Sequence, residues 1–248
     1  MSHIWGIIPA AGLGTRIQPL AFSKELLPVG SRLDQGQQRP RAVSEYLVER
    51  MIAAGATRIC FVVSPGKSDI MQYFGGKIGD TAICYALQQD PKGLCDALFT
   101  ALPFVAGDDE ILIGLPDTIW FPIDGFQHLP ERRFSLLLFP VQRPHLFDAV
   151  VSDERGLVTE VEVKAPSPSS NWVWGAFRMP GQTLADLHRL WSERMRRDEY
   201  LGTLVNAYIA RGGNVLAVKR GEVYVDVGTL HGYHEALRVL SETDVAVL

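Results

Sequence analysis

Ile4-Trp5-Gly6-Ile7-Ile8-Pro9, running directly into Ala10-Ala11-Gly12-Leu13-Gly14-Thr15-Arg16, is the stretch whose reading decides the fold. The first six residues are apolar without alternation, the pattern of a short central strand buried on both faces. The next seven are small or glycine-rich, so backbone N–H groups there can approach a phosphate chain closely. Arg16 adds a planar cation for negative charge developing on that chain. The turn is neither common nucleotide loop: Ile17 stands where G-x-G-x-x-G needs its third glycine, and no Gly-Lys-Ser/Thr follows. A bare Gly-Leu-Gly makes only a tight turn, and a lone Lys24 is an ordinary solvated lysine. Eight residues apart in one segment, Arg16 and Lys24 place two cations beside the same loop.

Outward from this stretch, helix and strand alternate. Val43, Tyr46, Leu47, Met51 and Ala54 recur every three or four residues before Gly55, predicting an amphipathic helix. Strands are expected at Arg58 to Val63, Ala82 to Leu87 and Glu110 to Leu115, with helices at Ser68 to Phe74 and Gly93 to Phe104. This alternation predicts an α/β protein: a Rossmann-like three-layer α/β/α sandwich around a mixed, mainly parallel central sheet. The second half reads as antiparallel additions at Phe134 to Val141, Ala149 to Ser152, Val158 to Lys164 and Trp172 to Arg178. Helices are expected at Thr183 to Arg196, Thr203 to Arg211 and Leu230 to Leu240, and strands at Val215 to Lys219 and Glu222 to Val227. Gly30 to Pro40, polar and rich in Gly and Gln, reads as an exposed loop over one edge of the site.

Composition narrows the function. With 47% hydrophobic and 21% charged residues the chain is an ordinary globular sequence of 248 residues, too long for a minimal domain and shorter than two typical ones of about 150. The 24 basic and 28 acidic residues leave a net charge of -4, so neither nucleic acid nor an anionic membrane surface is expected as a partner. Cys60, Cys84 and Cys95 are odd in number and scattered, which predicts a reduced, cytoplasmic setting. The apolar N-terminus lacks a basic leader and reads as a strand, not a signal peptide. No stretch approaches the 18 apolar residues of a membrane span. Only six of the basic residues are Lys, and two of these, Lys24 and Lys164, are singled out below.

The opening Pro9 to Gly30 segment resembles the signature of the sugar-1-phosphate nucleotidylyltransferases, or nucleotide-sugar pyrophosphorylases, especially bacterial glucose-1-phosphate thymidylyltransferases and UTP–glucose-1-phosphate uridylyltransferases. Further matches are Gln88 with Gly93-Leu94, Leu115-Pro116-Asp117, Glu162-Val163-Lys164 and Tyr224-Val225-Asp226-Val227-Gly228-Thr229. The resemblance covers nearly the whole chain and implies the nucleotide-diphospho-sugar transferase fold as one catalytic domain, 1–248. Its nucleotide-binding half is about 1–120 and its sugar-phosphate-binding half about 121–248. It implies Arg16, Lys24, Asp117 and Asp226 as catalytic residues. The nucleotide would be bound by Ala10, Ala11, Gly12, Leu13, Gly14, Thr15 and Arg16, with Gln88 and Gly93 at a pyrimidine base. Leu115, Glu162, Lys164 and Trp174 would bind the sugar phosphate.

The residues themselves agree with these roles. Asp117 lies just past the carboxyl end of a strand, where open α/β sheets place ligands. Asp226 points away from Val223, Val225 and Val227. Two carboxylates reaching one cleft suit Mg²⁺, a hard cation that takes oxygen ligands and phosphates. A Gln amide offers both a donor and an acceptor to the paired groups of uracil or thymine. Lys164 is expected on the strand face shared by Glu160 and Glu162.

The implied reaction joins an NTP, with dTTP or UTP favoured, to a sugar 1-phosphate. Three departures concern the sugar: Val163 replaces a family carboxylate, Ala149-Val150-Val151 replaces Gly-Val-Val, and Asn171 to Gly175 is one residue short with two indoles. Two alternatives stand beside this reading: a nucleotide- or sugar-phosphate-sensing subunit without turnover, and a cytidylyltransferase for a non-sugar phosphate. The chain is shorter than typical bacterial relatives, so an appended interface segment is expected to be missing and homo-oligomer formation is left open.

Overall fold

The computed structural model describes residues 2–90 and 92–245. In chain order the first elements are β1 (Ile4–Pro9), β2 (Pro28–Asp34), β3 (Gln37–Ala42), α1 (Val43–Ala53), β4 (Arg58–Val63), α2 (Ser68–Phe74), β5 (Lys77–Ile78), β6 (Thr81–Leu87) and α3 (Leu94–Thr100). There follow β7 (Glu110–Gly114), β8 (Thr118–Phe121), β9 (Ser135–Pro140), β10 (Ala149–Ser152), β11 (Val158–Glu162) and β12 (Trp172–Pro180). The chain continues through α4 (Gly181–Glu193), α5 (Leu201–Ala210), β13 (Leu216–Val218), β14 (Val223–Asp226) and α6 (Leu230–Val245).

β1 is the centre of the main sheet, parallel to β4 on one side and β7 on the other, with Gly6 opposite both Ile59 and Leu112. β6 continues the parallel order beyond β4. β12 then joins β7 antiparallel, and β9, β10 and β11 extend the sheet with further antiparallel pairs. Alternation along β1 explains the layers. Trp5 and Ile7 enter a core with Leu98 of α3, Leu187 and Trp191 of α4 and Leu204 of α5. Ile8 enters the opposite core with Leu47 and Met51 of α1, Ile70 of α2 and Phe61 of β4. Helices therefore cover both faces of a mixed sheet, as the strand pattern requires.

Two pieces of sheet, the β2–β3 hairpin and the short strand β8, were not legible in the sequence. Gly30 to Pro40 is no irregular loop: β2 and β3 form an antiparallel hairpin whose turn holds Gln35 at φ +49° and Gly36 at φ +78°. Two successive positive φ values mark a type I′ turn, the tight connection that fits the twist of paired strands. Its strands are largely exposed, so no apolar alternation betrays them. β8, only four residues long, pairs antiparallel with β14 about a hundred residues later in the chain and stands apart from the main sheet. Ile119 and Val225 from this ribbon join Val29, Val43 and Val227 in a third core capped by Ala236 and Leu240 of α6. Among the described residues no helix is long and apolar enough to cross a membrane.

Candidate active site

The glycine-rich turn leaves the carboxyl end of β1, the position at which a parallel sheet opens a ligand crevice. Ala10 and Ala11 are buried, and the Ala10 N–H still bonds Val62 O at 2.8 Å, so the loop starts from a fixed point. From Gly12 to Arg16 the backbone turns outward, with Gly14 at φ +67° and an Ile17 N–H···O Gly14 bond closing the turn at 3.1 Å. Among the described residues no group accepts from the N–H groups of residues 11–16. A run of N–H groups without a protein acceptor at the end of a strand is the kind of backbone from which anion-binding concavities are built.

Four charged groups converge beside it. The Lys24 ammonium, on a 3₁₀ turn after Ser23, donates to Asp117 Oδ2 at 2.6 Å, and Arg16 donates to Asp226 Oδ2 at 2.8 Å. The β8–β14 ribbon makes this meeting: Asp226 lies opposite Thr118, and the Val227 N–H bonds Asp117 O at 2.8 Å. A methyl group built on Gly228 would lie 2.8 Å from Asp226 Oδ1, 2.9 Å from Asp117 Oδ2 and 3.1 Å from Arg16 Nη2. Both carboxylates and one guanidinium thus face a single point. Burial works to raise the Asp117 carboxyl, but the Lys24 ammonium with Arg16 beyond it holds it below the usual range; for Lys24, burial is likewise outweighed by Asp117 and Glu25. Among the described residues no third His, Cys, Asp or Glu completes a metal cluster. Two hard oxygen donors with room for phosphate ligands match what Mg²⁺ takes from a protein.

At the expected base end, Gln88 is buried, its N–H continuing the ladder to Val63 O at 2.9 Å. Its amide Nε2 donates to Asp96 Oδ2 at 2.6 Å, which orients the side chain from α3. Gly93 sits at φ +94°, and a Cβ there would meet Glu199 O at 2.8 Å, so only glycine fits.

The acceptor end departs from expectation. Lys164 does not lie on a strand face: β11 ends at Glu162, opposite Ala149, and Lys164 turns away at φ +48°. Asp148, one residue before β10, takes over from the ladder. Its Oδ1 accepts the Lys164 backbone N–H at 3.3 Å and lies 3.6 Å from the Lys164 ammonium. Glu162 ties down the following loop by accepting from the N–H groups of Ser169 and Ser170. Trp174 packs edge-to-face on Phe177, 5.7 Å between centroids, and among the described residues shares no hydrogen bond with the charged cluster. Leu115 is half-buried and accepts from the Thr118 hydroxyl at 2.9 Å. Tyr224, not picked out as a site residue from sequence, lies on the same side of β14 as Asp226 and wedges its ring between Phe139 and Phe147. Burial and then the charges of Asp226 and Asp117 hold its hydroxyl well above its usual range, with a smaller contribution from Asp148.

Residues 5–243 match the family model described as nucleotidyl transferase. The chain belongs to this family. It is 27% identical to a glucose-1-phosphate thymidylyltransferase of Mycolicibacterium smegmatis over 93% of this chain and 80% of that one. It is 24% identical to a UTP–glucose-1-phosphate uridylyltransferase of Haloferax volcanii, covering 95% of this chain and 96% of the relative. In three dimensions it superposes on UDP-glucose pyrophosphorylase from Acinetobacter baumannii with a TM-score of 0.78 at 20% identity, covering 96% of this chain and 92% of that one.

In this nucleotidyl transferase one further charged pair supports the site from behind. Glu25, wholly buried, receives two bonds from the Lys67 ammonium, at 2.8 and 2.9 Å, and the same ammonium donates to Ala10 O at 2.6 Å. Burial drives Glu25 up and Lys67 down from their usual ranges, each opposed by the other. The only sequence signal for the pair was the scarcity of lysine, which does not separate Lys67 from the other five.

Proposed function

We propose that this nucleotidyl transferase condenses a pyrimidine nucleoside triphosphate with a sugar 1-phosphate, releasing pyrophosphate. The observation that carries the reading is the convergence of Asp117, Asp226 and Arg16 on the space beside Gly228, with Lys24 bonded to Asp117. One phosphate oxygen of the acceptor attacks the α-phosphorus in line, and the bond to the bridging oxygen of pyrophosphate breaks. That oxygen is already an anion, so no general base is required, and catalysis is positioning plus charge stabilisation.

The N–H groups of residues 11–16 cradle the triphosphate. Arg16 and Lys24, which hold the two carboxylates here, turn to the phosphates and balance charge on the departing pyrophosphate. Asp117 and Asp226 would then hold Mg²⁺, which when bound supplies neutralising charge at the α-phosphate. Gln88, with one N–H committed to Asp96, keeps its carbonyl oxygen for the ring N–H of uracil or thymine. The names of the relatives favour dTTP or UTP in the same direction. Lys164, held by Asp148 and half-exposed, aligns the acceptor phosphate.

The test is a pyrophosphate-release assay of each NTP and dTTP against a panel of sugar 1-phosphates and non-sugar phosphate esters, with Mg²⁺ present. Release with UTP or dTTP and at least one sugar 1-phosphate is expected. Tight nucleotide binding without release from any pair would overturn the proposal in favour of a sensing role. Within the assay, Lys164→Ala is expected to raise the acceptor KM by about ten- to a hundredfold, the value of a lost charged hydrogen bond, and to leave the NTP KM within about twofold. An equal rise in both constants would remove Lys164 from the acceptor site.

A further inference from the structure

The Lys24 turn is bordered by an open cleft of about 430 Å³, lined in part by Leu13, Phe22, Lys24, Ser64 and Lys67. Side-chain packing is therefore missing on that side, and polar ties from the β4–α2 connection and from the first turns of α2 and α1 replace it. Asp69 accepts from both the N–H and the hydroxyl of Ser23, each at 2.6 Å. Lys67 holds the carboxylate of Glu25, and the Ser44 hydroxyl donates to Glu25 O at 2.7 Å. Lys24 is the residue between these two anchored neighbours, so its backbone is fixed on both sides while its ammonium reaches Asp117. The third bond of Lys67, to Ala10 O, ties the start of the phosphate loop to the same ammonium.

Resting on the nucleotidyl-transfer reading above, we infer that Lys67 is a positioning residue that sets the phosphate loop and the Lys24 turn in register for the triphosphate. It touches neither reacting phosphate. A buried ammonium that makes three bonds to two partners on different segments of one site fixes distances that each segment alone leaves free.

Because a single substitution strands a buried charge, the test uses Lys67→Met combined with Glu25→Gln, which removes both charges and retains the bulk. The double variant is expected to keep a Tm within a few degrees of wild type and to lose at least about tenfold in kcat/KM for the NTP, with the acceptor KM unchanged. A merely structural pair predicts instead that the folded double variant has full activity, and kcat/KM within twofold of wild type would overturn the inference. Should the double variant not fold, Asp69→Ala cuts the other tie from a more exposed position. It is expected to lower the same constant about three- to tenfold, and no change there would overturn the inference as well. Calorimetric binding of UTP and dTTP to wild type and variants separates the two readings. A wild type that binds but does not turn over sinks the transfer reaction alone, and weaker binding by the variants still supports the positioning role. A wild type that binds no triphosphate sinks both.

Discussion

Asp117→Ala or Asp226→Ala is expected to lower the rate of pyrophosphate release by at least about a hundredfold while the chain remains folded. Losing one preorganised electrostatic group costs catalysis two to three orders of magnitude in sites of this kind. Each aspartate here faces the same point, so neither can replace the other. Stability is affected less, because Asp226 pairs with an exposed guanidinium and Lys24 can swing from Asp117 into the adjoining cleft. The depressed Asp117 carboxyl contributes stability that is present above its unfolded range and is lost only as pH falls through its lower folded value. Near neutral pH that contribution is complete, so wild type and variant are compared there by kcat and thermal unfolding. Near-full activity in either variant would remove that residue from the mechanism.

What was legible follows from the range of the interactions involved. β1 and its turn were readable because burial on both faces and a run of small residues are local facts, and Asp117 was readable because it follows a buried strand directly. The meeting of Asp117 with Asp226 was expected through the family resemblance and not from any local pattern, since it depends on a four-residue ribbon closed across a long stretch of chain, where loop-closure entropy leaves no local signature. Lys164 was misplaced by one turn for a related reason. Alternating Val and Glu predicts a strand through Lys164, but its partner strand begins only at Ala149, and Asp148 captures the next N–H instead. Trp174 was assigned to the sugar by resemblance, and its edge-to-face contact with Phe177 was not legible, because it depends on a break in the β12 register between Trp174 and Ala176. Lys67 carried no pattern at all: a buried lysine declares itself only once Glu25 and Ala10 O are seen around it.

Gly228→Ala is expected to abolish turnover to a similar extent while removing no charged group. The added methyl would press on Asp226 Oδ1 at 2.8 Å and Asp117 Oδ2 at 2.9 Å, closer than real Cβ contacts, and on Arg16 Nη2 at 3.1 Å. All three are ends of side chains, so the protein relieves the contact by turning the carboxylates apart and keeping its backbone. Gly228 does not occupy the left-handed region, so alanine brings no backbone strain and reduces the entropy of the unfolded chain slightly. A Tm within a few degrees of wild type is therefore expected, with kcat lower by at least about a hundredfold. The variant separates two accounts that the aspartate substitutions leave together. If net charge in the cleft is what matters, Gly228→Ala retains activity, because Asp117, Asp226, Arg16 and Lys24 are all still present. If the geometry of convergence matters, activity falls although the charge is unchanged, and near-wild-type kcat in a folded Gly228→Ala protein would show that the reacting phosphate does not sit at this point.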